Sequence, residues 1–384
     1  MNHPRVVGMK IAVLSLADID NYGDTFFPYM FRAELLKRLP KARIDLFTNI
    51  PFDSGIYRTQ AYSPEAVADY DAIILAGGDT IQRLDQEEFG PIYAKLSSNV
   101  FSGRPSDIVF SWLELQKPFK AWFAVGAHPN ILNYRTDVEE AFAKLDYLAV
   151  RGIIAKKILE NNLICNNEKI LIVPDLGWLF PEYINATKLK PKAILRKHGG
   201  PKIPSRPYAV FETYQEKDVP VERIAQTLID FQEKSGVRIL LVPFIRPWSD
   251  FKMLSQIYEA SDGMLSLVPN TLSFLETGSV LKGSEFYIGA SMHGAVTCLA
   301  YGKPAGNILR WTAPKLQDLH GMRSRTDCFA NEWEQLGPML DMLNQEKKSG
   351  KAERAAYSSY MRSRLCREID GLAKRILEYT GRSV

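Results

Sequence analysis

Four cysteines in 384 residues are too few and too scattered for a disulfide framework: Cys165, Cys298, Cys328 and Cys366 form no CxxC pair and no zinc-ligand spacing. Their usage excludes a small secreted scaffold and fits free thiols in a reducing compartment. No stretch approaches the ~18 apolar residues that a membrane span needs. The opening residues, Met1 to Gly8, are too few and too polar for a secretion signal, so a cytoplasmic protein is expected. Neither GxGxxG after the first strand nor GK[ST] anywhere is present, which counts against dehydrogenases and P-loop kinases. A basic stripe interleaved with aromatics is missing too, so nucleic acid is not an expected partner.

What is present is globular. With 46% hydrophobic and 24% charged residues, the chain can bury sizeable cores, and its length favours two domains. Short runs rich in Ile, Leu and Val (Lys10–Ala17, Ala42–Ile50, Asp71–Gly78, Phe119–Gly126, Tyr147–Val150, Lys169–Val173) suit strands buried on both faces of a parallel sheet. Amphipathic stretches such as Thr25–Arg38, Gln86–Ser98 and Arg151–Asn161 lie between them. The alternation restarts after residue 207, with strands predicted at Tyr208–Tyr214, Arg238–Phe244, Gly263–Val268, Glu285–Gly289 and Ala305–Leu309. The expected fold class is therefore α/β, two Rossmann-like domains facing across a cleft in a GT-B-like arrangement, closed by a C-terminal helix. The reading divides the chain into an N-terminal domain (1–187), a Pro-, Gly- and Lys-rich linker (188–207), a C-terminal domain (208–345) and a basic helix (346–384). That last segment holds ten Lys/Arg against five Asp/Glu, more than the whole net charge of +4. A solvated helix face and loose attraction to anionic lipid at the inner face of the membrane both fit it.

The informative residues sit at predicted strand ends, where open α/β sheets bind ligands. After the first strand comes Asn21-Tyr22-Gly23-Asp24-Thr25, either a capped turn or a backbone approach to a polar ligand with Asp24 as acceptor or base. The third strand ends Gly77-Gly78-Asp79-Thr80, whose paired glycines admit a ligand or another backbone. Arg151 stands at a strand-to-helix junction, where a guanidinium could grip a carboxylate or phosphate or form an ordinary ion pair. Asp175, in Val-Pro-Asp, could equally be a turn residue. The sharpest signal is Ser291-Met292-His293-Gly294, a small-residue turn opening an apolar helix. Helix N–H groups there favour anions, and an imidazole can pass protons near neutral pH. His128, His198 and His320 receive no role.

The order NxGD, a strand ending in GG, V-R-G, V-P-D, then S-x-H-G followed by GKP resembles the polysaccharide pyruvyl transferases, over Lys10 to Lys315. That resemblance implies transfer of a pyruvyl group from phosphoenolpyruvate to two hydroxyls of a sugar as a cyclic ketal, within a polysaccharide or its precursor, the acceptor being a glycan or a lipid-linked sugar. It implies His293 as acid/base, with Asp24 beside it in the catalytic set. Arg151, Ser291 and Gly294 would contact the donor; Asn21, Gly23, Gly77, Gly78, Asp79 and Thr80 would contact the acceptor. Many members carry an arginine two positions before the histidine, where this chain has Ser291; Arg310 and Lys315 are the candidates to supply the missing cation. Because a C–O bond breaks, no metal or other cofactor is expected. A sugar-nucleotide glycosyltransferase and a non-catalytic glycan-binding relative stay open as alternatives. Against the former, no acid lies between Glu285 and Asp318 to bracket a nucleotide.

Overall fold

A computed structural model describes residues 8–81, 93, 104–129, 135–162, 169–202, 207–214, 219–245, 250–310 and 313–382. The predicted helix Gln86–Ser98, apart from Tyr93, lies outside the described residues, as do Cys165 and residues 203–206. Two units emerge. The first comprises Met1–Ile19, Phe27–Leu176 and Arg364–Val384; the second comprises Asp20–Phe26 and Gly177–Ser363.

The first unit is built on a parallel sheet of β1 (Lys10–Leu14), β2 (Arg43–Thr48), β3 (Gln60–Ala61), β4 (Ala72–Ala76), β5 (Phe119–Val125), β6 (Tyr147–Val150) and β7 (Ile170–Ile172), in the order β3-β2-β1-β4-β5-β6-β7. β4 and β5 are buried along their whole length because helices cover both faces, which is why their sequences carry no alternation. The end of the C-terminal helix belongs here: Ile369, Leu372 and Ile376 are buried, and Arg38 pairs with Asp370 at 2.5 Å.

The second unit repeats the plan with β8 (Tyr208–Glu212), β9 (Arg238–Leu241), β10 (Ser266–Leu267), β11 (Tyr287–Gly289), β12 (Ala305–Ile308) and β13 (Phe329–Ala330), ordered β10-β9-β8-β11-β12-β13. Both orders run outward from a central first strand, so each sheet has the doubly wound switch point beside that strand. On one face Leu228, Leu254 and Leu340, from the helices Val221–Ser235, Asp250–Ala260 and Leu336–Glu346, share a core with Phe211, Ile239 and Ile288 of the sheet. β3 and β13, two residues each, were not anticipated; runs that short carry no periodicity.

The division differs from the sequence-based one in four places: residues 20–26 and 177–187 belong to the second unit, and two further segments change character. Residues 188–207 are no simple linker: Pro191 occupies the first turn of a helix, Pro191–Lys197, that buries Ile194 and Leu195 within the second unit. A proline there loses no hydrogen bond and starts a helix instead of ending one. The basic C-terminal segment is likewise no separate element, since the helix Lys351–Thr380 gives residues up to Ser363 to the second unit and the remainder to the first.

Candidate active site

In the second unit, the chain leaving β11 turns at Ser291 into the helix Met292–Ala300. Ser291 caps that helix, its Oγ accepting the Gly294 N–H at 3.3 Å, and His293 sits in the first turn, 7% exposed. The Asn21–Thr25 segment belongs to the same unit. It is fixed by an antiparallel bridge from Asn21 to Ile245 and by the Tyr22 N–H donating to the Phe244 carbonyl at 3.0 Å. The helix Tyr22–Arg38 therefore begins earlier than its apolar period suggested, and Asp24 lies in its first turn, where a carboxylate favours the helix dipole.

The two motifs touch. A Cβ built on Gly23 would lie 2.0 Å from His293 Nδ1 and 2.2 Å from its Cγ, so the imidazole occupies the space that any side chain at 23 would need. Tyr22 Oη lies 3.0 Å from Thr297 Oγ1, and Thr297 donates its own proton to the His293 carbonyl at 2.7 Å. Tyr22 is then the donor in the first bond. On the far side, Gly294 allows the rings of Tyr287 and Phe244 to approach: an added Cβ would meet them at 2.5 and 2.6 Å.

Beneath this turn lies a buried polar frame. Glu212, at the end of β8, is wholly buried; its Oε2 accepts the Tyr287 hydroxyl and the Ser291 N–H, each at 2.8 Å. Burial, and next the charge of Asp250, push the Glu212 carboxyl up to about 8. Asn307, on β12, donates from Nδ2 to the carbonyls of Gly289 and Ser291 at 2.8 and 3.1 Å. Its Oδ1 must then be an acceptor, so the proton in the 2.8 Å contact with His320 resides on His320 Nε2. Burial, reinforced by Arg323, holds that imidazole down at about 3, hence neutral.

The first unit gathers a second cluster. Gly77 and Gly78, at φ +68° and +73°, form the turn after β4. The turn is pinned by Thr80 Oγ1 to the Gly77 carbonyl (3.4 Å) and by the Gly126 N–H to the Gly78 carbonyl (2.8 Å). Arg151, 3% exposed, pairs through Nη2 with Asp79 at 3.2 Å and through Nη1 with the buried Asp175 at 3.1 Å. Asp79 and Arg151, assigned from the sequence to acceptor and donor respectively, thus form one ion-pair cluster. A guanidinium set between two carboxylates is held in place by them, and the cluster holds this turn in shape.

The family model for polysaccharide pyruvyl transferases matches residues 21–310 of the chain. The chain belongs to that family. No curated protein matches it. Solved structures share the fold at low identity. A putative UDP-N-acetylglucosamine 2-epimerase from Listeria monocytogenes aligns with TM-score 0.58 and 10% identity over 91% of each chain. A glycosyltransferase from Rickettsia africae aligns with TM-score 0.57 and 11% identity over 97% of this chain and 99% of that one. The wall teichoic acid polymerase TagF gives 0.52 and 12% over 96% and 89%.

In this chain, the two candidate cations follow β12. That strand pairs in parallel with β11, Gly289 opposite Asn307, so the chain leaves both strands at one sheet edge. Arg310 is exposed and Lys315 half-buried in the first turn of the helix Pro314–Gly321. A lysine in a first turn opposes the helix dipole, so its placement there does nothing for the helix. Sequence reasoning missed Glu212, Asn307 and His320, which lie on a strand end, a strand and a helix with no motif around them. A glutamate closing the run Tyr208–Glu212 was the one available signal, since a carboxylate at the end of a buried strand must find donors.

Proposed function

We propose that this protein moves the pyruvyl group of phosphoenolpyruvate onto two hydroxyls of one sugar in a polysaccharide or its precursor, with His293 as general acid/base. The observation that carries this reading is the contact of the His293 imidazole with Gly23, which joins the family's two most separated motifs in one unit. In the reaction a sugar hydroxyl adds to C2 of the enol, C3 takes a proton and becomes a methyl group, and phosphate departs as the second hydroxyl closes the ketal. Of the two hydroxyl protons, one balances C3 and the other leaves with phosphate. An imidazole at 293 can hold and return that proton. The N–H groups of the Ser291–Gly294 turn, with Arg310 and Lys315 from the same sheet edge, supply positive potential for phosphate and carboxylate. Asn21 and Asp24, beside Gly23, offer the hydrogen-bonding groups for the acceptor.

The test is phosphate release from phosphoenolpyruvate against a panel of glycosides. Wild-type protein should release phosphate with at least one acceptor, and His293→Ala should lower that rate ~10²–10⁴-fold while phosphoenolpyruvate still raises the melting temperature. A near-normal rate in the variant would remove His293 from the mechanism. Stabilisation by a nucleoside diphosphate and none by phosphoenolpyruvate would point instead to a sugar-nucleotide substrate.

A further inference from the structure

A second cavity in the same unit has no part in this chemistry. It is an open space of about 530 Å³ whose walls include Arg323, Arg325, Arg354, Tyr357, Glu346 and Glu353. It reaches Leu299, six residues beyond His293 along one helix, so it lies ~9 Å further down that helix axis. The three guanidinium groups are not equivalent. Arg325 is fully engaged, binding Asp327 at 2.9 Å and both oxygens of Glu346 at 2.6 and 3.2 Å. Arg354 donates to the carbonyls of Gly302 and Ser349 at 3.0 and 2.8 Å and shares Glu346 at 3.4 Å. Glu346 is thus divided between two cations. Nη1 of Arg323 is buried and has no hydrogen-bond partner among the described residues.

A buried cationic donor without an acceptor is unfavourable, and here no lining carboxylate remains to serve it, because Glu346 is taken and Glu353 is exposed. Burial, opposed in part by Cys328 and Glu346, pulls the Arg323 guanidinium below its usual value, the direction expected of a cation short of counter-charge. We propose that this cavity is a binding site for a phosphate oxyanion, free or carried as a monoester on a small metabolite, with Arg323 as its principal ligand and the Arg354 side chain and Tyr357 ring as its walls. The planar fork of Arg323 matches two oxygens of such a group.

Calorimetry on the full chain in chloride-free buffer tests it, with inorganic phosphate and glycerol phosphate titrated in parallel. Wild-type protein should show a phosphate-binding class that weakens at least tenfold in Arg323→Gln and persists in Lys315→Gln, which removes a cation proposed for the donor phosphate. Removing the rim carboxylate in Glu353→Gln, an exposed position that should not disturb folding, should tighten it severalfold. Tighter binding of inorganic phosphate assigns the site to the free ion, and tighter binding of the ester assigns it to a phosphorylated metabolite. Should Arg323→Gln fold poorly, the Glu353→Gln arm decides alone. Isotherms that coincide for wild type, Arg323→Gln and Glu353→Gln, or binding lost only in Lys315→Gln, overturn the proposal.

Discussion

Gly23 shows how one absent methyl group can organise a site. It lies inside a helix, where alanine normally gains up to ~1 kcal/mol over glycine. Here the sign should reverse, because the imidazole of His293 fills the Cβ position. Gly23→Ala is expected to cost ~1–3 kcal/mol in denaturant unfolding, as overpacking does. It should also lower turnover ~100-fold through displacement of the ring. A stabilised, fully active variant would show that the imidazole does not depend on this contact. Arg151 teaches the complementary lesson. Its type and junction suited an anion ligand, and the fold sets two carboxylates, Asp79 and Asp175, within ion-pair distance of its guanidinium.

Among the elements, the helix Phe274–Gly283 packs beside the Ser291–His293 helix and depends on its N-terminus. Ser273 accepts the Glu276 N–H while the Glu276 carboxylate takes the Ser273 N–H at 2.9 Å, a reciprocal cap. Burial pushes the Glu276 carboxyl up, but the bonds from Ser273, Lys197 and His198 outweigh it and hold the group down at about 2. Ser273→Ala should destabilise the protein by ~1 kcal/mol, read from the denaturation midpoint; an unchanged midpoint would mean that water replaces the cap. The helix Lys351–Thr380 and the residues after it use basic side chains internally. Arg354 donates to Gly302, Arg364 to the Ile172 carbonyl at 2.6 Å, and Arg382 pairs with Asp71 at 3.2 Å. The first two bonds fix the side chains without offsetting their charge, and the third pairs a tail cation with the Asp71 carboxylate. No described helix is long and apolar enough to cross a membrane.

For the whole molecule, the buried ionisable groups dictate a pH response. Glu212 rises from 4.5 to about 8, by burial and then by Asp250, and Asp18 from 3.8 to about 7 by burial. A carboxyl raised on folding binds its proton more tightly in the native state. Its stabilisation is complete below the unfolded value and is lost as pH rises through the folded one. His320 acts in the opposite sense: lowered from 6.5 to about 3, its contribution is complete above 6.5 and fades in acid. Between pH 6.5 and 8, then, only the two carboxyls of these three groups change, and stability should fall by up to ~1.4 kcal/mol per pH unit for each carboxyl still titrating. Glu212→Gln keeps an oxygen to accept from Tyr287 and Ser291 but cannot ionise. Urea unfolding at the two ends of that window should show a shallower decline for the variant. An identical decline would mean that Glu212 does not titrate there.

The two parallel sheets were legible in the sequence because strands buried on both faces must be uninterruptedly apolar, and the intervening helices must be amphipathic. The motifs at the strand ends were legible for a related reason: glycine, serine and histidine at a β-to-α corner serve backbone geometry and chemistry that few other residues supply. What neighbours what was decided only in three dimensions. The placing of residues 20–26 in the second unit, the contact of Gly23 with His293, and the Glu212–Tyr287–Ser291 and His320–Asn307 bonds all join positions far apart in the chain. Local composition records which groups a segment can bury, whereas partners across long loops are selected by packing and by the need of each buried donor and acceptor to find the other.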